Sequence, residues 1–93
     1  MEARVKVRIS KFAEKQLKKV PNYIKEALQY WAESVQLVGL HHTRRLPGYH
    51  DEPLKGPRKG QRSIRLNRSY RAIYMESESG IEITVIEVSN HEY

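Results

Sequence analysis

One apolar stripe between residues 20 and 40 constrains the fold of this chain more than any other feature. Its members follow one another at spacings of four, three, four and three residues, which is the period of a single helix face. They are Ile24, Leu28, Trp31, Val35 and Val38. Pro21 suits the start of this helix and Gly39 suits its end. Because such a stripe is the core side of a helix, we assign Trp31 no functional role.

The residues before this helix predict a strand and a shorter helix. Apolar and basic residues alternate over residues 4–9, as they do in a strand with one buried face. Ser10 then suits the N-cap of a helix whose apolar face runs from Phe12 to Val20. A β-α-α order therefore opens the chain.

The second half of the chain predicts an ordered loop followed by an antiparallel sheet. Proline and glycine recur through residues 40–60, which we interpret as loop. Three strands are predicted at about 61–67, 69–76 and 81–89. Together these segments predict a single α+β domain, residues 1–93. In it the N-terminal strand and a three-stranded antiparallel meander form one twisted sheet, with both helices packed on one face.

The apolar pattern also sets the register of the first hairpin. A three-residue turn, 67–69, gathers one set of side chains on the face that covers the helices. That set is Ile64, Leu66, Tyr70, Ala72 and Tyr74, with Arg62 opposite Tyr74. On the other face Arg65 lies opposite Arg71, and directly opposed like charges destabilise a sheet. Either an anion such as phosphate binds between the two arginines, or both extend into water. The pattern leaves the face of Glu87 in the last strand undecided.

Positive charge is concentrated in the middle of the chain. The whole sequence has 17 Lys and Arg against 11 Asp and Glu. From Arg44 to Arg71 there are nine Lys or Arg and only two acids, Asp51 and Glu52. After Arg71 there are five glutamates and no Lys or Arg. This asymmetry predicts a polyanionic partner, either a nucleic acid or an acidic protein.

Two absences in the sequence bear on its function. The chain has no cysteine, which excludes disulfides, thiolate catalysis and cysteine-based zinc sites. It also has no apolar run near the ~18 residues of a membrane span, and no signal-peptide core at its N-terminus. We therefore expect a cytoplasmic protein that contacts no membrane.

Candidate residues for RNA cleavage lie in the basic segment and at the C-terminus. Cleavage without a metal ion uses the 2′-hydroxyl of RNA as the nucleophile. It requires a base, an acid and cations that stabilise the pentacoordinate phosphate. Glu52, Lys55, Arg65, Arg71 and His91 supply these groups. Further candidates for RNA binding are Arg58, Lys59, Arg62 and Arg68. We expect no cofactor, and the adjacent His41 and His42 lack the acidic neighbour of a good metal site.

Four short motifs stand in the segment 46–74. They are Leu46-Pro47-Gly48, Glu52-Pro53-Leu54-Lys55-Gly56, Ser63-Ile64-Arg65-Leu66 and Tyr70-Arg71-Ala72-Ile73-Tyr74. In this order after a strand and two helices, they resemble the RelE/ParE superfamily of toxins from toxin–antitoxin pairs. The resemblance is greatest to the branch that contains HigB and YoeB. It implies a RelE-like fold and an mRNA interferase, which cleaves mRNA in the decoding site of the ribosome, contacts ribosomal RNA and is silenced by a cognate antitoxin.

The resemblance also implies roles for residues in the basic segment. Glu52 matches the proposed base of YoeB-like members, whereas HigB-like members have a histidine at that position, so the identity of the base stays open. Lys55 matches a contact to the substrate or transition state. Arg65 and Arg71 match the arginines that hold the scissile phosphate.

The last three residues resemble the C-terminal pair of the family. His91 matches the general acid and Tyr93 matches the residue that stacks on a base, but here Glu92 stands between them. Which of His91 and Tyr93 reaches the phosphate therefore stays open. Two alternatives also remain: a ParE-like toxin that inhibits DNA gyrase, and a RelE-fold binding module without activity. Glu52, Arg71 and His91 together favour the ribonuclease.

Overall fold

The computed structural model describes residues 5–90, and its centre is a five-stranded mixed sheet. The strands are β1 (Lys6–Ile9), β2 (Glu52–Pro53), β3 (Gln61–Arg65), β4 (Tyr70–Glu76) and β5 (Glu82–Asn90). They lie in the order β1-β5-β4-β3-β2. β1 runs parallel to β5, and the other neighbouring strands are antiparallel. The predicted α+β arrangement is confirmed, with the N-terminal strand at one edge of the meander.

Three helices pack on one face of this sheet. They are α1 (Lys11–Leu17), α2 (Asn22–Val38) and α3 (Leu40–Arg44). Ser10 caps α1 as predicted, because its Oγ accepts a hydrogen bond of 3.1 Å from the backbone N–H of Ala13. Pro21 is the residue before α2 rather than its first helical residue. Within residues 5–90, no helix combines the length and apolar character that crossing a membrane requires.

The core forms between the apolar stripe of α2 and the facing side of the sheet. Four stripe residues are buried, namely Ile24, Leu28, Trp31 and Val35. Val38 was predicted to join them but is 54% exposed, so that part of the prediction is wrong. Gly39 turns the chain with φ 90° directly after Val38. Leu40, the first residue of α3, is buried instead.

The register of the β3–β4 hairpin is the predicted one. Ile64 pairs with Ala72, and Arg65 pairs with Arg71. The turn is closed by the Asn67 side chain, whose Oδ1 accepts hydrogen bonds from the backbone N–H of both Ser69 and Tyr70. This local closure fixes the three-residue turn, and therefore the face on which each side chain of the two strands lies.

A β-bulge decides the register of β5, which the sequence pattern left open. Ile73 pairs with Glu87, yet the next residue, Tyr74, pairs with Val85. Ile86 is therefore the extra residue of the bulge. Because of it, Val85 and Val88 both face the core despite their odd spacing. Glu87 consequently lies on the sheet face that points away from the helices.

The segment 40–60 contains more regular structure than the predicted loop. Besides α3 and β2, it has 3₁₀ turns at Pro47–Tyr49 and Gly56–Arg58. α3 is held by Thr43, a fully buried residue whose hydroxyl lies 2.7 Å from Ser34 Oγ. These elements have two to five residues each, too few for periodicity to reveal.

Candidate functional site

The sheet has a second face, away from the helices, on which several candidate residues gather. We call it the outer face and define it by the side chains that alternate away from the core. Its residues include Glu52, Ser63, Arg65, Arg71, Ile73 and Glu87. Ser63 and Ile73, near its centre, are buried. The charged residues surround this buried centre.

Glu52 and Arg71 form an ion pair on the outer face. The carboxylate Oε1 of Glu52 lies 3.6 Å from a terminal nitrogen of Arg71. This separation exceeds a good hydrogen bond, so the contact is electrostatic. The Glu52 side chain is 60% exposed, and that of Arg71 is 23% exposed. A carboxylate open to an incoming hydroxyl thus stands beside a half-buried guanidinium.

Arg65 adds a second guanidinium beside this pair. It is the cross-strand partner of Arg71, as the hairpin pattern predicted. Among residues 5–90 it has no acidic partner within ion-pair distance, whereas Arg71 has Glu52. Two guanidinium groups directly opposed on neighbouring strands can bind one anion between them, because each offers several fixed N–H donors.

The other proposed contacts to RNA divide into two groups. Lys55, Lys59 and Arg68 are exposed and form no ion pair with any part of the chain that the structure describes. Arg58 instead donates to Glu87 on β5 at 2.5 Å and to Gln61 at 2.8 Å. It therefore crosses the outer face, and its charge is already neutralised.

Arg62 lies on the opposite face, against the core. Its Nε donates a hydrogen bond of 2.6 Å to Oδ1 of Asp51, whose side chain is fully buried. The other oxygen of Asp51 accepts a hydrogen bond of 2.6 Å from the hydroxyl of Tyr74. Arg62 is therefore held against the core by Asp51, and its contact to RNA stays a prediction. Sequence reasoning assigned Asp51 no role, although it is one of only two acids in the basic segment.

The surroundings of Asp51 change the protonation behaviour of its partners. Burial, followed by the hydrogen bond to Asp51, raises the pKa of Tyr74 above its ordinary value. Burial alone would lower the pKa of Arg62, but the hydrogen bond and charge of Asp51 outweigh burial and raise it. Arg44 from α3 lies 3.9 Å from the same carboxylate, and its Nε is buried without a hydrogen-bond partner in the described chain.

The proposed acid and its neighbour lie outside the described residues. These are His91 and Tyr93, together with the intervening Glu92. The structure describes β5 as far as Asn90, and there Ser89 pairs with Arg71. Among residues 5–90, no group of three or more His, Cys, Asp or Glu side chains could hold a metal ion.

Known structures match this arrangement of helices and strands, although no protein-family model and no curated protein matches the sequence. A chain of the RelBE2 toxin–antitoxin complex from Mycobacterium tuberculosis superposes with a TM-score of 0.70 and 22% identity, covering 97% of this chain and 100% of that chain. The chain has the RelE-like fold.

Two further structures support this assignment of the fold. A chain of the archaeal RelE–RelB complex from Pyrococcus horikoshii matches with a TM-score of 0.73 and 19% identity, covering 94% of both chains. The YoeB dimer from Staphylococcus aureus matches with a TM-score of 0.69 and 19% identity, covering 98% of this chain and 100% of that chain. The resemblance seen in the sequence motifs is therefore confirmed for the RelE-like fold.

Proposed function

We propose that this protein is the toxin of a type II toxin–antitoxin pair and an endoribonuclease that cleaves mRNA in the ribosomal decoding site. The observation that carries the proposal is the pairing of Glu52 with Arg71 on the outer face, with Arg65 directly opposite Arg71. The RelE-like fold, present in structures described as toxin–antitoxin complexes, supports it. So does the positive charge of the segment 44–71.

The proposed reaction begins at the Glu52 carboxylate. Glu52 accepts the proton of the ribose 2′-hydroxyl, and the oxygen attacks the adjacent phosphorus. Arg71 bears five N–H groups, so it can hold Glu52 through one nitrogen and a phosphate oxygen through others. Arg65 and Lys55 add positive charge as the pentacoordinate phosphate forms.

The reaction ends with protonation of the leaving 5′-oxygen. His91 is the proposed acid, since an imidazole titrates near pH ~6.5 and can donate at neutral pH; Tyr93 is the next candidate. The base gains one proton and the acid loses one, so the reaction is balanced. The products are a 2′,3′-cyclic phosphate and a 5′-hydroxyl, so the chemistry itself needs no metal ion.

Two partners follow from the same proposal. The first partner is the ribosome. The outer face offers charge that positions a phosphate, and the decoding site presents the mRNA and recognises its bases. The second partner is a cognate antitoxin. We propose that it is acidic where it meets the basic segment, because an exposed cationic surface binds carboxylates readily.

The test is single-turnover cleavage on programmed ribosomes, with 5′ ends mapped and ribosome binding measured separately. Glu52→Gln should slow cleavage roughly 10²–10⁴-fold, the usual range for a lost base. His91→Gln should do the same if it is the acid. Arg71→Ala should cost roughly 10²–10³-fold through lost charge stabilisation.

Arg8→Ala is the matched control for Arg71→Ala. Arg8 also pairs with a glutamate across two strands, Glu82, at 3.4 Å, but near the opposite edge of the sheet. The Arg8→Ala variant should cleave mRNA at the wild-type rate. Equal cleavage of ribosome-free RNA, inhibition of gyrase, or a wild-type rate in Glu52→Gln would each contradict the proposal.

A further inference from the structure

Asp51 is a fully buried carboxylate in a connecting segment, where acidic side chains are normally exposed. Burying a carboxylate is costly unless it is paired and hydrogen-bonded. Here Oδ1 accepts from Arg62 of β3 and Oδ2 accepts from Tyr74 of β4, each at 2.6 Å. Arg44 of α3 lies 3.9 Å away. One side chain thus joins the segment before β2 to three other elements.

The partners of Asp51 are themselves held in place. Tyr74 is fully buried, and its ring packs against Trp31 of α2 with ring centroids 5.1 Å apart. Tyr74 and Arg62 are also cross-strand partners. The carboxylate therefore binds to a rigid part of the core, so it can fix the position of a less rigid neighbour.

That neighbour is β2, which has only two residues. Its ladder to β3 consists of Glu52 opposite Ser63 and Pro53 opposite Arg62. An edge strand this short is marginal by itself, and a slip of one residue would move every side chain to the other face. Successive side chains of a strand point to opposite faces. With Asp51 fixed against the core, Glu52 must emerge on the outer face beside Arg71.

We propose that Asp51 is a positioning residue, which anchors β2 to the core so that the Glu52 carboxylate is held beside Arg71 for proton abstraction. The catalytic part of this inference rests on the proposed function of Glu52. A displacement of about 1 Å in a reacting group can cost about 10²-fold in rate. Loss of the anchor should therefore reduce cleavage without weakening ribosome binding.

The anchoring itself is tested without any activity measurement. The backbone N–H of Leu54 donates to the carbonyl of Gln61 at 2.9 Å, so its hydrogen exchange reports whether β2 stays on β3. In Asp51→Ala this amide should lose protection, whereas amides of the β4–β5 ladder should keep theirs. Unchanged protection at Leu54 would overturn the inference, whatever the enzyme does.

The catalytic consequence is tested by a double-mutant cycle on programmed ribosomes. Asp51→Ala should slow single-turnover cleavage about 10²-fold at saturating ribosomes, with the dissociation constant unchanged. In the Glu52→Gln background the same change should have little further effect, because the group it positions is already lost. Asp51→Asn should restore most of the rate, since its amide retains an oxygen for Arg62 and a polar group for Tyr74.

Controls separate positioning from loss of fold stability. Thr43→Val removes a buried hydroxyl that bonds to Ser34 and to the Gly39 carbonyl. It should destabilise the fold yet leave the cleavage rate unchanged. If Asp51→Ala does not fold, Tyr74→Phe removes one contact of the anchor and should show a smaller loss of rate and of Leu54 protection. The inference is wrong if these losses are absent.

The outcomes also separate this inference from the proposed function. A slow Glu52→Gln enzyme in which Asp51→Ala causes a further, additive loss would overturn the positioning role alone. A fully active Glu52→Gln enzyme would overturn the proposed base, and the positioning role with it.

Discussion

Arginines of the same β-strand have opposite surroundings in this protein, because alternate side chains of a strand face opposite ways. Arg62 points toward the core and pairs with buried Asp51, whereas Arg65, three residues later, lies on the outer face opposite Arg71. The hairpin register already placed Arg62 opposite Tyr74, on the face that covers the helices. The register therefore predicted the surroundings of Arg62, which its position in a basic segment alone did not.

Tyr74 makes the stability of the fold decrease as the pH rises in the alkaline range. Its folded-state pKa is raised above the ordinary value of 10.0 by burial and by Asp51. The stabilisation by the protonated phenol is therefore complete below about pH 10 and is lost as pH rises toward the folded-state pKa. Tyr74→Phe should cost about 1–3 kcal/mol at neutral pH, because one oxygen of Asp51 loses its donor. This substitution should also remove much of the loss of folding stability at alkaline pH.

The measurement is the free energy of unfolding from urea denaturation at a series of alkaline pH values. Tyr23→Phe is the control, because Tyr23 is 59% exposed; its pH dependence should equal that of the wild type. If Tyr74→Phe lost as much folding stability at alkaline pH as the wild type, another group would be the cause.

At the scale of elements, the sequence predicted what periodicity can encode. The α2 stripe as far as Val35 and the β3–β4 register were correct, because each involves a repeated apolar pattern over many residues. Val38, at the end of the stripe, is exposed instead. α3 and β2 were missed because their stability comes from tertiary contacts, through Thr43 and Asp51. The bulge at Ile86 also depends on packing, since it lets Val85 and Val88 enter the same core. The pairing of Glu52 with Arg71 follows from β2 and was therefore beyond the sequence pattern.

The junction of α2 and α3 depends on the backbone of Gly39. Its φ of 90° and ψ of 158° lie in a region that is almost restricted to glycine. Gly39→Ala should therefore destabilise the fold by about 1–3 kcal/mol, even though an added Cβ would meet nothing within 4 Å. Urea denaturation would measure this loss.

Gly48→Ala is the matched control for Gly39→Ala. An added Cβ would again meet nothing within 4 Å, and φ is not positive there. This substitution should be neutral, or stabilising by about 0.4–1 kcal/mol through the unfolded chain. If both variants lost the same stability, strain at Gly39 would not be the cause.

At the scale of the whole molecule, positive charge extends along the β3–β4 hairpin. The turn before β4 carries the exposed Arg68, beside Arg65 and Arg71. Lys55 and Lys59 lie in the loop before β3, and because Gln61 pairs with Met75, this loop is near the other end of β4. The seven residues of β4 separate its two ends by about 20 Å. A polyanion that contacts all of these cations should therefore lie along the hairpin rather than at one end of it.

Salt dependence tests this orientation. Four cations of the hairpin and of the loop before it, Lys55, Lys59, Arg65 and Arg68, form no ion pair with a described residue. If each neutralises one RNA phosphate, the logarithm of the ribosome association constant should fall with the logarithm of salt concentration at a slope of about −3. Lys59→Ala and Arg68→Ala should each weaken binding and reduce the magnitude of the slope by about one.

Lys25→Ala is the control for these two variants, because Lys25 is an exposed lysine on α2, in the helical layer. Binding of Glu52→Gln protein to programmed ribosomes would be measured across a salt series, since slowed cleavage keeps the complex intact. Lys25→Ala should match its parent in both affinity and slope, because counterions are released only where a cation meets a phosphate. Equal losses for Lys25→Ala and Lys59→Ala would mean that net charge alone governs association. That result would contradict the proposal that RNA binds to the outer face.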